Sequence, residues 1–359
     1  MPGIRVATMS AVGTGTRSIP HACERFLIRD ASVRSSAHDT ATPGTRRDWH
    51  RPCALQSMIE IRRILCPVDF SDYSRHALDH AVAMAKWYDS TITVFNVCPL
   101  VPATAYAPGT PMLPVTVPTP DDLAALLAAM KRFAESDAGA SVPVEFEIGE
   151  GNAATEILER SAALPSDLIV MGTHGHHGFD RLVLGSVTEK VIRKARCPVL
   201  TVSPGTLDAV PAPPLFKRIL CAIDFSDAAL KALDYAISLA EEADAHLTLA
   251  HVVEVTPPPH SQSEASVESR SLGAYVAAAA QDRAERLQRL IPEPARTYCT
   301  VDTTLAIGKA YRELLRIASE QRSELIVLGA HGHSIAELLF GSTAHHIVRQ
   351  AHCPVLTIR

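Results

Sequence analysis

A chain of 359 residues that is 47% hydrophobic can build two or three domains with buried cores. Its formal net charge of −5 argues against a nucleic-acid partner held by bulk electrostatics, and aromatics at 5% supply no basic–aromatic stacking surface. No run of 18 apolar residues is present to span a bilayer, and none of the eight cysteines forms a C-x-x-C pair. Cys66, Cys98, Cys221 and Cys299 fall in or beside expected strands. They read as buried thiols of a reducing, cytoplasmic protein rather than as a disulfide framework.

Residues 1–57 are a compositional block apart. They carry eight Arg against four acids, a net of about +4, whereas the remainder carries about −9. They lack periodicity and are interrupted by Pro2, Pro20, Pro43 and Pro52. The expectation is a disordered tail, or a stretch preceding a true start at Met58, where Met58-Ile59-Glu60-Ile61 opens the first strand. A targeting peptide fits less well, because no continuous apolar region follows the arginines.

Strand and helix then alternate. Residues 61–68 predict a strand, and Leu78, Ala81, Val82 and Ala85 recur at helical spacing across 72–87. Ser71 or Asp72 can cap that helix. The β-branched run 91–97 predicts a central strand. Seven prolines within residues 99–120 preclude a packed element and predict a long loop, a candidate cover for a site. A helix over 121–133 has acids at its favourable end. Strands over 142–148, 168–171 and 198–202 and helices over 152–163 and 186–195 complete a first unit.

The pattern then repeats. Ile64-Leu65-Cys66-Pro67-Val68-Asp69-Phe70-Ser71-Asp72 returns as Ile219-Leu220-Cys221-Ala222-Ile223-Asp224-Phe225-Ser226-Asp227. Cys-Pro-Val-Leu-Thr closes both units, at residues 197–201 and 353–357. This offset of 155 or 156 residues is domain-sized. Strands are expected at 218–223, 246–253, 295–301, 325–328 and 354–358, and helices at 227–243, 271–290, 309–319 and 343–350. The organisation is therefore a first domain at 58–203, a Pro-rich linker at 204–214 and a second domain at 215–359. Alternating strands and helices make each an α/β domain, a doubly wound parallel sheet covered on both faces. Ligands of such sheets bind beyond the C-terminal strand ends.

The shared motifs fall at those ends. Gly172-Thr173-His174-Gly175, nine residues, then Gly185-Ser186 joins a strand to a helix. Glycines admit close backbone approach, and a helix start offers N–H groups to phosphate. The same residues also suit a tight strand–helix connection with an ordinary cap. Asp69 and Asp224 can accept from a ribose hydroxyl, hold Mg²⁺, or cap the next helix with Ser71 or Ser226.

In combination these motifs resemble the universal stress protein family in its tandem form, over residues 58–359. The resemblance implies two Rossmann-like domains of the adenine nucleotide alpha hydrolase-like type. Each has a five-stranded parallel sheet of order 3-2-1-4-5, and like domains pair through their last strands. For the ATP-binding branch it implies a cofactor, ATP or AMP/ADP, with or without Mg²⁺. Asp69 would hold the ribose or metal side, and Pro67, Val68 and Val97 the adenine. Met171, Gly172, His174, Gly175, Gly185, Ser186 and Val187 would form the loop and phosphate side, with Thr188 assisting. The second set is Asp224, Gly329, Gly332, Gly341 and Ser342.

The second unit departs from the pattern. Only eight residues separate Gly332 from Gly341, and Gly149-Glu150-Gly151 becomes Ala306-Ile307-Gly308. Nucleotide binding is therefore expected in the first unit, with the second left open. Histidines cluster at the loops (His174, His176, His177, His331, His333, His345, His346), and phosphate or loop contacts are the plainer reading than zinc. The functional expectation is a stress-response protein regulated by adenine nucleotide. A slow Mg-dependent ATPase using Asp69 and a nucleotide-free interaction module are the alternatives. If the last strands pair, Val199–Val202 and Val355–Ile358 make the chain an intramolecular pseudo-dimer, with a homodimer through other faces left open.

Overall fold

The computed structural model describes residues 28–30, 59–99, 118–135, 142–174, 184–203, 216–254, 281–293, 295–331 and 341–359. The first unit contains β2 (Arg63–Pro67), α1 (Asp72–Tyr88), β3 (Thr91–Cys98), α2 (Pro120–Ala134) and β4 (Val144–Glu150). It continues with α3 (Ala153–Ala163), β5 (Leu168–Gly172), α4 (Ser186–Lys194) and β6 (Val199–Val202). The second holds β7 (Arg218–Ala222), α5 (Asp227–Ala243), β8 (His246–Val253), α6 (residues 281–289), α7 (Ala295–Tyr298) and β9 (Thr300–Ile307). It ends with α8 (Ala310–Glu320), β10 (Leu325–Gly329), α9 (Ser342–Gln350) and β11 (Val355–Ile358). A short strand, β1 (Ile28–Asp30), precedes both units.

All these strands join one sheet in the order β1-β4-β3-β2-β5-β6-β11-β10-β7-β8-β9. Counted within a unit, both halves are parallel with order 3-2-1-4-5. The closing strands meet antiparallel, pairing Val199 with Thr357, Leu200 with Leu356 and Thr201 with Val355. Thr201 donates its hydroxyl to the Val355 carbonyl (3.1 Å), and Thr357 returns the bond to Val199 (3.2 Å). Two apolar layers cover the sheet, one beneath α1, α2 and α5 and one beneath α3, α4, α8 and α9. Each layer draws side chains from both units. Tyr88 of α1 also reaches Ser238 of α5 at 2.9 Å.

Three elements differ from expectation. The strand expected at 295–301 is the helical turn α7 followed by β9. Pro292 accepts from the Ala295 amide (3.0 Å), starting the turn, and pairing with β8 from His246↔Thr300 to Val253↔Ile307 sets the strand. β4 runs two residues later than periodicity suggests, because Val144 pairs with Ile92. Within the segment expected to be disordered, β1 pairs antiparallel with the edge of β4, Ile28 opposite Ile148. A free sheet edge is a template for such pairing. The rest of residues 1–57, residues 100–117 of the Pro-rich loop, residues 255–280 and the linker at 204–214 lie outside the described residues.

One buried contact distinguishes the halves. Glu147 of β4 and Arg160 of α3 are both buried and form an ion pair. The matching positions in β9 and α8 hold Thr304 and Ile317. Removing one partner of such a pair strands a buried charge. Glu147→Ala is expected to destabilise the protein by about 3–5 kcal/mol in urea unfolding. Glu147→Leu combined with Arg160→Leu should recover most of that loss.

His80 of α1 is buried beside Phe216, with its Nδ1 2.7 Å from the His76 carbonyl. Burial holds its pKa down at about 4, partly opposed by that hydrogen bond. The unfolded chain therefore takes up a proton near pH 6.5 that the folded chain refuses until about pH 4. Its contribution to stability is present above pH 6.5 and is lost as pH falls through that window. Thermal melts should show His80→Phe flattening the decline in stability between pH 6.5 and 4.

Candidate functional site

The site is built at the C-terminal strand ends, where β2 and β7 turn into α1 and α5. Both turns place a phenylalanine in the left-handed region, Phe70 at φ 66° and Phe225 at φ 64°. A bulky residue there carries about 1–2 kcal/mol of strain. The preceding aspartate helps hold the turn. Asp69 Oδ1 accepts from the Ser71 amide (3.1 Å) and hydroxyl (2.5 Å), and Asp224 Oδ1 does the same with Ser226 (3.0 and 2.5 Å). Ser71 and Ser226 in turn cap α1 and α5. The aspartates thus position the turn while their Oδ2 atoms stay out of these bonds. Asp69 is half-buried and Asp224 exposed.

The neighbouring strand is tied to the same turn in both units. The Val68 amide donates to Phe95 and the Ile223 amide to Ala250, both at 2.8 Å. Asn96 donates to the Val68 carbonyl (2.8 Å), and His251 Nδ1 stands 2.7 Å from that of Ile223. Burial, then Arg283 and Arg286 of α6, push the His251 pKa down, opposed by that hydrogen bond and by Asp224. Val97 and Val252 occupy equivalent half-buried positions beyond these ties.

The glycine-rich connections begin and end alike. The Gly185 amide donates to Thr173 and the Gly341 amide to Ala330, each at 2.9 Å. Gly175, Gly332 and the length difference between them and the following glycines lie outside the described residues. Much of the demand for glycine comes from the chain itself. A Cβ on Gly172 would stand 2.8 Å from Tyr73 Cβ, one on Gly185 2.9 Å from the Thr173 carbonyl, and one on Gly329 3.0 Å from Ala228. Thr188, expected to assist a ligand, donates instead to the Gly172 carbonyl (2.9 Å) and is buried. Ala344 replaces it in the second unit.

Other groups remain available to a ligand. Helices α4 and α9 start on Gly185 and Gly341, which have no side chain to cap them, so among the described residues Ser186, Val187, Ser342 and Thr343 lie in first turns without a side-chain cap. By contrast α1, α2, α3 and α5 are capped by Ser71, Thr119, Asn152 and Ser226. Uncapped N–H groups and the helix dipole favour an anion. His174, after Met171 and Gly172, is buried against Tyr73. Its Nδ1 meets the Thr173 hydroxyl (2.9 Å), and its buried Nε2 has no hydrogen-bond partner among the described residues. These features fit an anionic, hydrogen-bonding ligand. Among the described residues no three His, Cys, Asp or Glu side chains converge as metal ligands.

A cleft of about 380 Å³ opens in the second unit, between the ends of β7, β8 and β10 and the starts of α8 and α9. Asp224, Gly329, Gly341 and Ser342 line it, as does Ile223, the counterpart of Val68. Sequence reasoning missed Ala250, Ala310 and Leu314 in its wall and Glu254 at its edge. Glu254 Oε1 accepts from the Ala310 amide at 2.8 Å and so caps α8. The overlooked signal was the small residue at 250, where the first copy carries Phe95. Beside the cleft, Tyr311 of α8 stacks on His346 of α9 at 4.2 Å, with Lys309 and Arg312 over the Tyr311 ring. Burial, then His345, Lys309 and Arg349, push the His346 pKa down.

A family model described as the universal stress protein family matches residues 60–203 and again 215–359. The chain belongs to the universal stress protein family. Among curated relatives, universal stress protein MJ0531 of Methanocaldococcus jannaschii is 35% identical over 141 residues, 39% of this chain and 81% of that protein. Universal stress protein YxiE of Bacillus subtilis is 32% identical over 158 residues, covering 40% of this chain and all of YxiE. A crystal structure of a universal stress protein from Archaeoglobus fulgidus superposes with a TM-score of 0.56 at 21% identity. It covers 83% of this chain and 98% of that one, a likeness of fold. The single-domain relatives each match one copy of this tandem universal stress protein.

The Gly172 contact generates a test. Gly172→Ala is expected to destabilise the protein by about 1–3 kcal/mol through crowding against α1. Chemical denaturation without any added nucleotide should already show that loss.

Proposed function

We propose that this tandem universal stress protein binds adenine nucleotide at the C-terminal strand ends and acts as a regulatory, cytoplasmic component of the stress response. The observation that carries the reading is the cleft at Asp224. It occupies the strand-end position where doubly wound sheets take ligands, and its volume falls in the range of about 300–1,000 Å³ typical of ligand pockets. Ile223 and Val252 correspond to Val68 and Val97, assigned to the base, while Gly341 and Ser342 offer the start of α9 to phosphate. In the first unit the nine-residue spacing before Gly185-Ser186 supports a phosphate-holding loop, as do the start of α4 and His174 Nε2, which have no side-chain partner among the described residues. In each unit the strand-end aspartate, Asp69 or Asp224, and the glycines leading into the last helix are the candidate groups for ATP or its products, with Mg²⁺ carried in by the phosphates. The uncombined thiols Cys66, Cys98, Cys197, Cys221, Cys299 and Cys353 support the compartment.

A regulatory role is favoured over a dedicated ATPase because neither loop sequence carries the lysine that P-loop enzymes use on transferring phosphate. Chromatography of what the full chain releases on denaturation should recover ATP, ADP or AMP. Saturating Mg-ATP at about 100 times Kd should add about 2.7 kcal/mol of stability, read as a raised Tm. No released nucleotide together with no thermal shift at millimolar Mg-ATP would refute the reading. Rapid turnover abolished by Asp69→Ala would replace it with the enzyme.

A further inference from the structure

We propose that Phe95 closes the base compartment of the first unit, so that the second unit, opened by Ala250, is the seat of the nucleotide base. The inference rests on the nucleotide-binding reading and decides where that binding occurs. β3 and β8 occupy equivalent places, each tied to the Asp-bearing turn by the carbonyl of residue 95 or 250. The two side chains therefore leave equivalent points of the sheet toward the same layer, that of α3 and α4 or of α8 and α9.

In the first unit the side chain is a phenyl ring, 1% exposed, in one apolar cluster with Ile157 and Met171. The ring crosses from β3 to the end of β4. A Cβ on Gly149 would lie 2.7 Å from Phe95 Cζ and 3.2 Å from Cε2, so the ring needs a glycine there. In the second unit the counterparts of Ile157 and Met171 are Leu314 and Leu328, and both line the open cleft together with Ala250. The residue opposite Val252 on β9 is Ala306, where the first unit has Gly149 opposite Val97. Large ring with glycine in one copy, and alanine with alanine in the other, are matched pairs. The space that Phe95 fills is the space the second unit keeps free.

The glycine that both copies keep has a different cause. Gly151 and Gly308 both have positive φ (127° and 152°), a backbone requirement of the strand–helix turn. The loss of Gly149 alone therefore tracks the side chain at position 95 or 250 and not the turn. Intact loop spacing marks the first unit as the phosphate site, but a phosphate loop beside a filled base compartment does not retain a nucleotide. The second unit keeps the compartment, with cationic Lys309 next to the cleft-lining Ala310.

The test is the stoichiometry of Mg-ATP binding to the full chain, by equilibrium dialysis. Wild type should bind one equivalent. Ala250→Phe with Ala306→Gly rebuilds the first unit's pair in the second and should weaken binding at least tenfold, with circular dichroism melts confirming the fold. If that variant unfolds, Ala250→Leu supplies a smaller obstruction with the same expected direction. Phe95→Ala, or Phe95→Leu if the larger change unfolds, should add a second equivalent. Unchanged affinity in a folded Ala250 variant, or two equivalents in wild type, overturns the inference while leaving nucleotide binding standing. No binding of ATP, ADP or AMP by wild type or any Phe95 variant overturns both.

Discussion

The antiparallel joint between β6 and β11 is the contact on which the rest of the molecule depends. Each unit is a parallel sheet buried on both faces, and such a sheet cannot leave its fifth strand open to water without exposing backbone donors, acceptors and apolar side chains together. Reciprocal bonds from Thr201 and Thr357 cross the joint, and the helix layers on both sides continue over it. Because the two strands run in opposite directions, the C-terminal strand ends of the two units lie on opposite edges of the sheet. The joint that unites the cores thereby separates the sites.

Much of this was legible in the chain. The paired Ile-Leu-Cys strands, the Asp-Phe-Ser turns and the Cys-Pro-Val-Leu-Thr closings each reflect a local rule: continuous apolar runs for buried strands, a hydroxyl for a helix cap, a proline at the entry to the last strand. What escaped were properties of register and volume. The start of β9 depended on its pairing with β8, and α7 on a carbonyl of Pro292, neither of which periodicity records. At the site, spacing identified the loops but not the room between them. A Phe and an Ala in equivalent strands are both ordinary buried apolar residues to a pattern reader. Their difference in volume becomes functional only once Gly149 and Ala306 are seen across the ladder.

Several residues that look like ligand contacts turn out to serve the frame as well. Asp69 and Asp224 hold strained turns, Gly172 and Gly329 admit the helix that follows the first strand, and Thr188 anchors a carbonyl. Such double duty explains why both copies keep the aspartate and the glycine whether or not each binds a ligand, while Thr188 gives way to Ala344. Framework needs maintain them independently. The groups with no framework partner among the described residues, the starts of α4 and α9 and the buried Nε2 of His174, are the better indicators of chemistry.

The differing pairs at 95/149 and 250/306 also bear on why two copies share one polypeptide. Identical chains joined through the same strand would be related by a two-fold axis, and any side chain placed in one pocket would appear in the other. A single gene encoding both halves lifts that restriction. One pocket can be filled with aromatic carbon, gaining core packing, while its twin stays hollow. Fusion here converts an obligatory symmetry into two independently adjustable compartments on a common sheet.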